Sequence, residues 1–374
     1  MIKRLKKYIM PFLLIFLIPQ IANILICIMM SEKQLREIPT AVYLGDNTSL
    51  TRTIVNSFDE HETFDIKYFV EDPYEIEELM KQGKILFGLV IPKDFTKDLK
   101  KLKSPKLMTV TDGTQLSSAS FLKVSASEIL LSLKGGVLID VMRGKFNMSY
   151  DQAKNAVMAI DITSRILGNP TRNYVNFLLP GMILSMVQAG MGMTAAAALD
   201  KSSQKNIFLD AIVKMLACSG LGLISTAMIL WVQIRFFDVP MKANFGKIGL
   251  LCGVFCICVC SIGIMLSSIF KDKMLASQVA AVYFLPSSIL SGYTWPLLSM
   301  PVFFQKFAFF LPFTHFGELL RDLLLKGHSN FYFKNVTVLF SMAAIAIGAA
   351  MAVLLCQGHI LRREAKSLEA DGGN

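Results

Sequence analysis

The 374-residue sequence lacks the short motifs that mark several classes of enzyme. It contains no GxxxxGK followed by Ser or Thr, so it encodes no phosphate-binding loop for a nucleotide. Its four histidines form no HxxxH or HExxH pair, and none lies at zinc-ligand spacing from a cysteine. The serine-rich stretch at 117–120 has no GxSxG turn that would expose a nucleophile. We therefore expect no catalytic residues, no bound cofactor and no metal site.

Charge is also scarce, because only 18% of the residues are charged while 53% are hydrophobic, with a mean hydropathy of +0.50. A soluble protein of this length carries more charge. All seven cysteines lie in apolar segments, so the polar region at 31–172 has no disulfide framework. Cys252, Cys256 and Cys260 share one helical face, where we expect them to pack as small apolar side chains.

Long apolar segments are what the sequence has instead. A bilayer core requires roughly 20 mostly apolar residues for each helix that crosses it. Segments near that length lie at about 8–30, 175–198, 211–234, 247–269, 274–291 and 333–357. The first one resembles a signal peptide, but its apolar part is too long and no small-x-small cleavage site follows. The sequence therefore predicts an α-helical integral membrane protein with six transmembrane helices.

The distribution of charge predicts the orientation of these helices. Residues 31–172 hold as many acidic as basic side chains, so the whole net charge of +10 comes from the rest of the chain. Basic residues flank the spans at Lys3, Arg4, Lys6, Lys7, Lys201, Lys205, Lys271, Lys273, Arg362, Arg363 and Lys366. The positive-inside rule places them in the cytoplasm, although Arg235, Lys242 and Lys247 oppose it. We expect a multi-pass protein of the inner or plasma membrane, with both termini cytoplasmic, and no nucleic-acid partner.

The polar region between the first two spans alternates between strand and helix signals. Strands are predicted for TAVYLG at 40–45, FDIKYFV at 64–70, ILFGLVIP at 85–92 and KLMTVTD at 106–112. PYEIEELMKQG at 73–83 predicts a helix that Gly83 ends, and residues from about 115 to 167 predict helices interrupted near Gly135-Gly136 and Gly144. The sequence therefore predicts an extracytoplasmic α/β domain with a mixed or parallel sheet.

These signals divide the chain into four parts. We expect an N-terminal cytoplasmic helix and first span at 1–30 and the extracytoplasmic α/β domain at 31–172. A five-helix transmembrane domain follows at 173–357, and a cytoplasmic tail at 358–374.

The segment SGYTWPLLSMPVFFQKFAFFLPFTHFGELLRDLLLKG, at about 291–327, fits neither a spanning helix nor a soluble loop. It is apolar, yet Gly292, Pro296, Pro301 and Pro312 break it. Such backbone is tolerated at membrane depth only where protein or a wet cavity covers it. Because both ends of the segment lie at the outer surface by parity, we expect a re-entrant helical hairpin before the sixth span.

Ionisable residues in this hairpin favour an outer gate at the end of a translocation pathway, because charged groups at membrane depth usually face the protein interior or water. We expect pairs at helical spacing, because His315 and Glu318, and Glu318 and Arg321, are three residues apart, while Glu318 and Asp322 are four residues apart. The candidate gate residues are Gly292, Trp295, Pro296, Pro312, Thr314, His315, Glu318 and Arg321. The alternative is a structural plug whose charges satisfy one another.

A second candidate site is the short cytoplasmic loop between the second and third spans. Its polar residues are Asp200, Lys201, Ser202, Gln204 and Lys205. The apolar residues between 209 and 216 that follow predict a short amphipathic helix along the inner membrane face, which can transmit movement from a docked soluble partner. The alternative is an ordinary loop. The basic N-terminus, MIKRLKKYIMPFL, is either a second surface of this kind or a topology anchor.

Residues 291–327 resemble the outer re-entrant segment of ABC-2 type exporter permeases, through SG, WP, MP and LPFT with a following Arg321. GLVIPKDFTKDL at 88–99 and VTDGTQLSSAS at 110–120 resemble landmarks of the same family's outer domain. The resemblance covers essentially the whole chain. It implies a homo- or heterodimer of permeases that binds two cytoplasmic ATP-binding cassette ATPase subunits through the N-terminal helix and the loop after the second span. That loop lacks the acidic Gly-Thr motif of many relatives.

The resemblance implies the transmembrane permease subunit of an ATP-binding cassette exporter. Such a subunit moves an amphipathic or hydrophobic substrate (a drug, lipid, lipid-linked glycan or peptide) out of the cytoplasm and contacts membrane lipids. ATP hydrolysis is then expected in a separate chain, and this chain is not an enzyme. The alternative is a membrane-anchored surface or secretion-accessory protein whose extracytoplasmic domain binds a partner.

Overall fold

A computed structural model describes residues 9–30, 36–101, 103–157, 168–169, 174–200 and 207–371. The chain divides into two compact units, one of residues Gln34–Ser164 and one of Met1–Lys33 with Arg165–Asn374. The helices and strands follow one another as α1 (Ile9–Met29, with a π-helical turn at Leu13–Leu17), β1 (Ile38–Leu44), α2 (Ser49–Asp59), β2 (Phe64–Val70), α3 (Pro73–Lys81), β3 (Phe87–Ile91), α4 (Phe95–Lys100), β4 (Met108–Thr111), α5 (Leu116–Phe146), α6 (Tyr150–Val157), α7 (Tyr174–Ala196), α8 (Ile207–Phe236), α9 (Phe245–Ile269), α10 (Lys273–Phe284), α11 (Ser287–Leu290), a 3-10 turn (Leu297–Ser299), α12 (Val302–Ala308), α13 (Pro312–Leu325) and α14 (Tyr332–Asp371).

Six helical segments of the described chain are long and apolar enough to cross a membrane, which confirms the predicted spans. They are α1, α7, α8, α9, α10 together with α11, and the first part of α14. In α7 and α9, 67% of the most apolar stretch is buried inside the protein, compared with 22% or 28% in the others. The helix α9 packs against α7, α8 and α14. The centre of this unit is therefore α7 and α9, and the other spans surround them.

The Gln34–Ser164 unit is built on a four-stranded sheet in the order β2-β1-β3-β4. The strand β1 is parallel to both of its neighbours, with Val42 opposite Phe69 and Leu89, and β3 is antiparallel to β4. The sheet is therefore mixed. All five residues of β3 are buried, as expected for a central strand covered on both faces.

Helices cover both faces of this sheet. Side chains from α2 and α5, such as Phe58 and Leu122, pack with Phe87 and Leu89 on one face. On the other face, Ile76 of α3 forms a smaller core with buried strand residues. This arrangement of helix, sheet and helix layers buries apolar side chains on both sides of the strands.

Two turns of this unit lie in the segments that resemble the outer domain of exporter permeases. Asp94 has a positive φ of 57°, and the following turn is fixed by the Thr96 backbone N–H, which donates to Asp46 Oδ2 at 2.7 Å. Asp112 Oδ1 accepts hydrogen bonds from the Thr114 backbone N–H at 2.9 Å and from its hydroxyl at 2.7 Å. These two hydrogen bonds hold the pKa of the Asp112 carboxyl below its usual value.

Two local predictions are wrong. The helix α5 runs without a break through Gly135-Gly136 and Gly144, and it ends only where Asn147 adopts a positive φ of 50°. A glycine inside a helix costs about 1 kcal/mol, which packing along a 31-residue helix outweighs. The separate amphipathic helix after residue 206 is also not found, because the apolar residues at 209–216 belong to α8, a continuous helix of 30 residues.

Candidate functional site

The chain between α11 and α14 contains a 3-10 turn and the two helices α12 and α13, and a glycine and prolines lie where these elements begin or end. Gly292 has a positive φ of 89°, and a Cβ there would lie 2.5 Å from Leu297 Cγ, so only glycine fits. Pro301 precedes α12, and Pro312 occupies the first turn of α13, where its missing N–H costs nothing. The residues between Ala308 and Pro312 connect α12 to α13 in a single turn.

Tyr293 connects this segment to the first two turns of the spanning helix α7. Its hydroxyl accepts a hydrogen bond from the Gly181 backbone N–H and donates one to the Phe177 carbonyl oxygen, both at 3.0 Å. Residues four apart bond directly to each other in a regular α-helix. The Tyr293 hydroxyl therefore bridges two groups of α7 that are each other's normal partners, next to Pro180, which lies inside that helix.

Two glycines make room for the Tyr293 ring. A Cβ at Gly181 would lie 2.1 Å from Tyr293 Cζ, and a Cβ at Gly317 would lie 2.8 Å from Tyr293 Cδ2. Both distances are far shorter than a van der Waals contact, and Tyr293 is only 2% exposed. The ring is therefore held between α7 and α13.

Arg321 completes this arrangement from α13. Its Nε donates to the Phe177 carbonyl oxygen at 3.1 Å, and its Nη2 donates to the Tyr293 carbonyl oxygen at 2.5 Å. The guanidinium carbon lies 3.8 Å from the centre of the Phe177 ring and 4.0 Å from that of Tyr293. Such contacts between a cation and aromatic faces contribute about 0.5–2 kcal/mol each. We call Phe177, Gly181, Tyr293, Gly317 and Arg321 the Tyr293 cluster.

The ion pairs expected for α13 are not the contacts that form. Arg321 is committed to backbone carbonyls, and Asp322 pairs with Lys326 at 2.6 Å. Glu318 is exposed and has no ion pair with any residue that the structure describes. Buried carbonyls need a donor, whereas an exposed carboxylate is satisfied by solvent, and this difference decides which group Arg321 contacts.

The remaining hairpin residues have structural contacts. His315 is 6% exposed, and its Nε2 lies 2.9 Å from the Phe309 carbonyl oxygen, so it closes the turn before α13. The Thr314 hydroxyl donates to the Ala308 carbonyl oxygen at 2.6 Å across the same turn. Trp295 is 53% exposed, and Pro296 is exposed beside it. Of the predicted gate residues, only Arg321 belongs to the Tyr293 cluster. The other members of the cluster, Phe177, Gly181, Tyr293 and Gly317, were not predicted.

Buried polar side chains connect the spans elsewhere, and sequence reasoning did not single them out. The Gln233 side-chain amide donates to Asn23 Oδ1 at 2.8 Å, and that of Gln20 donates to the Ser225 carbonyl oxygen at 3.0 Å, joining α1 to α8. Gln188 of α7 donates to the Ser287 hydroxyl at 2.6 Å. The sequence pattern that could have identified them is a glutamine or asparagine within an apolar run, because such residues form hydrogen bonds between membrane helices.

The second candidate site is only partly covered by the described residues. Asp200 lies 3.9 Å from Lys273, at the start of α10, and the Leu199 backbone N–H donates to the Ser267 hydroxyl at 3.2 Å. The loop therefore leaves α7 beside the connection between α9 and α10. Lys201, Ser202, Gln204 and Lys205 lie outside the described residues, as do residues 1–8 of the basic N-terminus.

Comparison with known proteins gives a consistent family. A family model described as "ABC-2 family transporter protein" matches residues 8–354. The chain is 23% identical to the probable multidrug ABC transporter permease YbhS of Escherichia coli over 284 residues, 72% of each chain. It is 22% identical to the linearmycin resistance permease protein LnrN of Bacillus subtilis over 352 residues, 84% of this chain and 87% of LnrN.

A eukaryotic relative is much longer. The chain is 29% identical to ABC transporter G family member 20 of Dictyostelium discoideum over 191 residues. That alignment covers 48% of this chain and only 26% of the Dictyostelium protein. The bacterial permeases are therefore the more complete comparison.

Proposed function

Because this chain belongs to the ABC-2 family of transporter proteins, we propose that it exports amphipathic or hydrophobic molecules from the cytoplasm. Membership in this family makes the chain a permease subunit of an ATP-binding cassette transporter, and its six apolar helices cross a membrane. Membership also implies association with an ATP-binding cassette subunit. Outward direction and amphipathic cargo are our proposal. The names of the multidrug and linearmycin resistance permeases among its relatives support both.

The observation that carries the proposed mechanism is the Tyr293 cluster, which we assign as the closed state of an outer gate. Its hydrogen bonds join three parts of the chain: α7, the segment that follows α11, and the helix α13. These hydrogen bonds can break together. If α13 moves away from α7, the Tyr293 hydroxyl and the Arg321 guanidinium leave the Gly181 N–H and the Phe177 carbonyl oxygen together. The cluster would thus have a hydrogen-bonded closed arrangement and an open one, as a switch requires.

The hairpin around this cluster is proposed to enter the outer half of the membrane. Its exposed aromatic residues, including Trp295, Phe303 and Phe310, support contact with lipid or the membrane interface. The Gln34–Ser164 unit is then extracytoplasmic. Glu318, exposed on α13, is proposed to face the water-filled side of the gate.

The loop after α7 is proposed to receive movement from the ATPase subunit in a dimer of permeases. The contacts of Leu199 and Asp200 with Ser267 and Lys273 support this role, because a push on the loop reaches the connection between α9 and α10 directly. Cysteines introduced at 201–205 should then crosslink to the ATPase subunit. Capture of lipid alone would contradict docking at this loop.

Transport in inside-out membrane vesicles tests the proposed function. Vesicles that contain the full chain and its ATPase subunit should accumulate rhodamine 6G or a fluorescent short-chain lipid when ATP is added, because their lumen corresponds to the cell exterior. Arg321→Ala should abolish this accumulation. Lys334→Ala is a matched control, because it removes an exposed cation near Phe331, outside the Tyr293 cluster.

Two results would contradict the proposal. ATP-dependent uptake by right-side-out vesicles alone would show import rather than export. Equal accumulation by Arg321→Ala and Lys334→Ala, at equal amounts of folded protein, would show that the Tyr293 cluster is not a gate.

Thiol labelling tests the proposed orientation separately. Gly113 and Lys271 are both exposed, and they belong to the α/β unit and to the connection before α10, respectively. In intact cells, a membrane-impermeant maleimide should label Gly113→Cys but label Lys271→Cys only after permeabilisation. The reverse pattern would refute the orientation.

A further inference from the structure

The α/β unit of residues Gln34–Ser164 contains an apolar cavity of about 420 Å³. This volume lies within the range of about 300–1,000 Å³ that is usual for ligand pockets. Its walls come from α2, α4, the segment after α4 and α5, through residues such as Leu50, Ile54, Phe95, Leu99, Leu133 and Val137. The cavity is therefore formed by three helices of one unit and needs no other part of the chain.

Polar groups in the lining are few, and two of the three are cationic. Lys103 and Lys134 are both exposed and lie at the rim, and Ser104 is the other polar side chain of the lining. Lys134 has no ion pair among the described residues, whereas Lys103 lies 3.5 Å from Asp98. The mouth of the cavity is therefore positively charged above an apolar interior.

This combination selects one chemical class of ligand. A sugar or a peptide needs several fixed hydrogen-bond partners inside its site, and the side chains that line this cavity offer one hydroxyl, on the exposed Ser104. An alkyl chain needs none, and an anionic head group at its end would meet Lys103 and Lys134. Positive charge at the mouth disfavours amphipathic cations.

We propose that this cavity binds free single-chain anionic amphiphiles, such as long-chain fatty carboxylates, with the chain inside and the carboxylate at Lys103 and Lys134. The site belongs to the α/β unit alone and does not rest on the proposed transport function. It gives this unit a ligand-binding role separate from that of the Tyr293 cluster.

Photolabelling of the full-length protein in lipid nanodiscs tests the proposal. The probe is a fourteen-carbon fatty acid with a diazirine in its chain, and the matched neutral probe is the corresponding alcohol. Mass spectrometry should find the acid attached to peptides that contain residues 50–54 and 130–141. Because an exposed ion pair contributes about 0.2–1 kcal/mol, the acid should label these peptides about 2- to 30-fold more than the alcohol through two lysines.

Unlabelled fatty acids then test the apolar interior. Each buried methylene strengthens binding about fourfold, so dodecanoate should compete about 15-fold better than decanoate. This competition uses the wild-type protein and does not depend on the folding of a variant.

Variants test the two ends of the site. Val137→Trp should fill the cavity and remove the labelling. Lys134→Glu replaces an attraction by a repulsion of similar size, so it should lower labelling by the acid about 2- to 30-fold without lowering labelling by the alcohol. Lys123→Glu is the matched control, because Lys123 is exposed on α5 but does not line the cavity.

Three results would overturn the proposal. Labelling confined to the spans would show that the probe reports lipid alone. Equal labelling by acid and alcohol, or equal effects of Lys134→Glu and Lys123→Glu, would show that the rim does not recognise an anion. Absence of labelling together with crosslinks between α5 of two copies would show that a second copy covers the cavity.

Discussion

Replacing Tyr293 by Phe removes one hydroxyl while keeping the ring that fills the space beside Gly181 and Gly317. The hydroxyl is the hydrogen-bond acceptor for the Gly181 N–H and a donor to the Phe177 carbonyl oxygen. In Tyr293→Phe, Phe177 keeps the bond from Arg321 Nε, but the buried Gly181 N–H loses its partner. A buried unsatisfied donor costs about 1–3 kcal/mol, so the closed cluster loses about that much relative to an open state.

Hydrogen exchange of the Gly181 amide measures this loss directly. In full-length protein in lipid nanodiscs, we expect the amide to exchange about 5- to 150-fold faster in Tyr293→Phe, because about 1.4 kcal/mol changes an opening equilibrium tenfold. Tyr332→Phe is the matched control. The Tyr332 hydroxyl donates to the Lys247 carbonyl oxygen at 2.9 Å and joins α14 to α9 rather than to α7, so this variant loses a hydrogen bond but should leave Gly181 exchange unchanged.

Either of two outcomes would refute this reasoning. If the Gly181 amide of the Tyr293→Phe variant exchanged at the wild-type rate, the Tyr293 hydroxyl would not be what holds the cluster closed. Equal acceleration in Tyr293→Phe and Tyr332→Phe would show a general loss of stability rather than a local opening.

Three further changes give distinct results. Arg321→Lys should lower export at least tenfold with little loss of folded protein, because lysine lacks the planar fork that bonds to two carbonyls and lies between two rings; transport at wild-type rate would contradict this. Gly181→Ala should lower the melting temperature of the purified protein by several degrees, whereas Gly220→Ala should not, because a Cβ at Gly220 meets no atom within 4 Å. Glu318→Ala should leave the melting temperature unchanged but lower export, and a lowered melting temperature would point to a structural role.

Hydropathy and local spacing were sufficient for the helices that cross the membrane and for the strands. The apolar run at 247–269 corresponds to α9, and FDIKYFV corresponds to β2. Both signals are local, because a continuous run or an alternation of apolar residues reflects the environment of one segment. The same local reasoning failed at Gly135-Gly136, since packing against neighbours decides whether a glycine interrupts a helix.

The sequence by itself determined that this chain has six long apolar helices, a polar α/β segment and a proline-broken segment of short helices, because composition and periodicity act within each segment. Only the tertiary structure decided the partners of Arg321. The Phe177 carbonyl that it contacts is 144 residues away in the chain, and Gly181 and Tyr293 are 112 residues apart. No local pattern encodes such contacts, because they depend on how α7 and α13 pack against the segment between them.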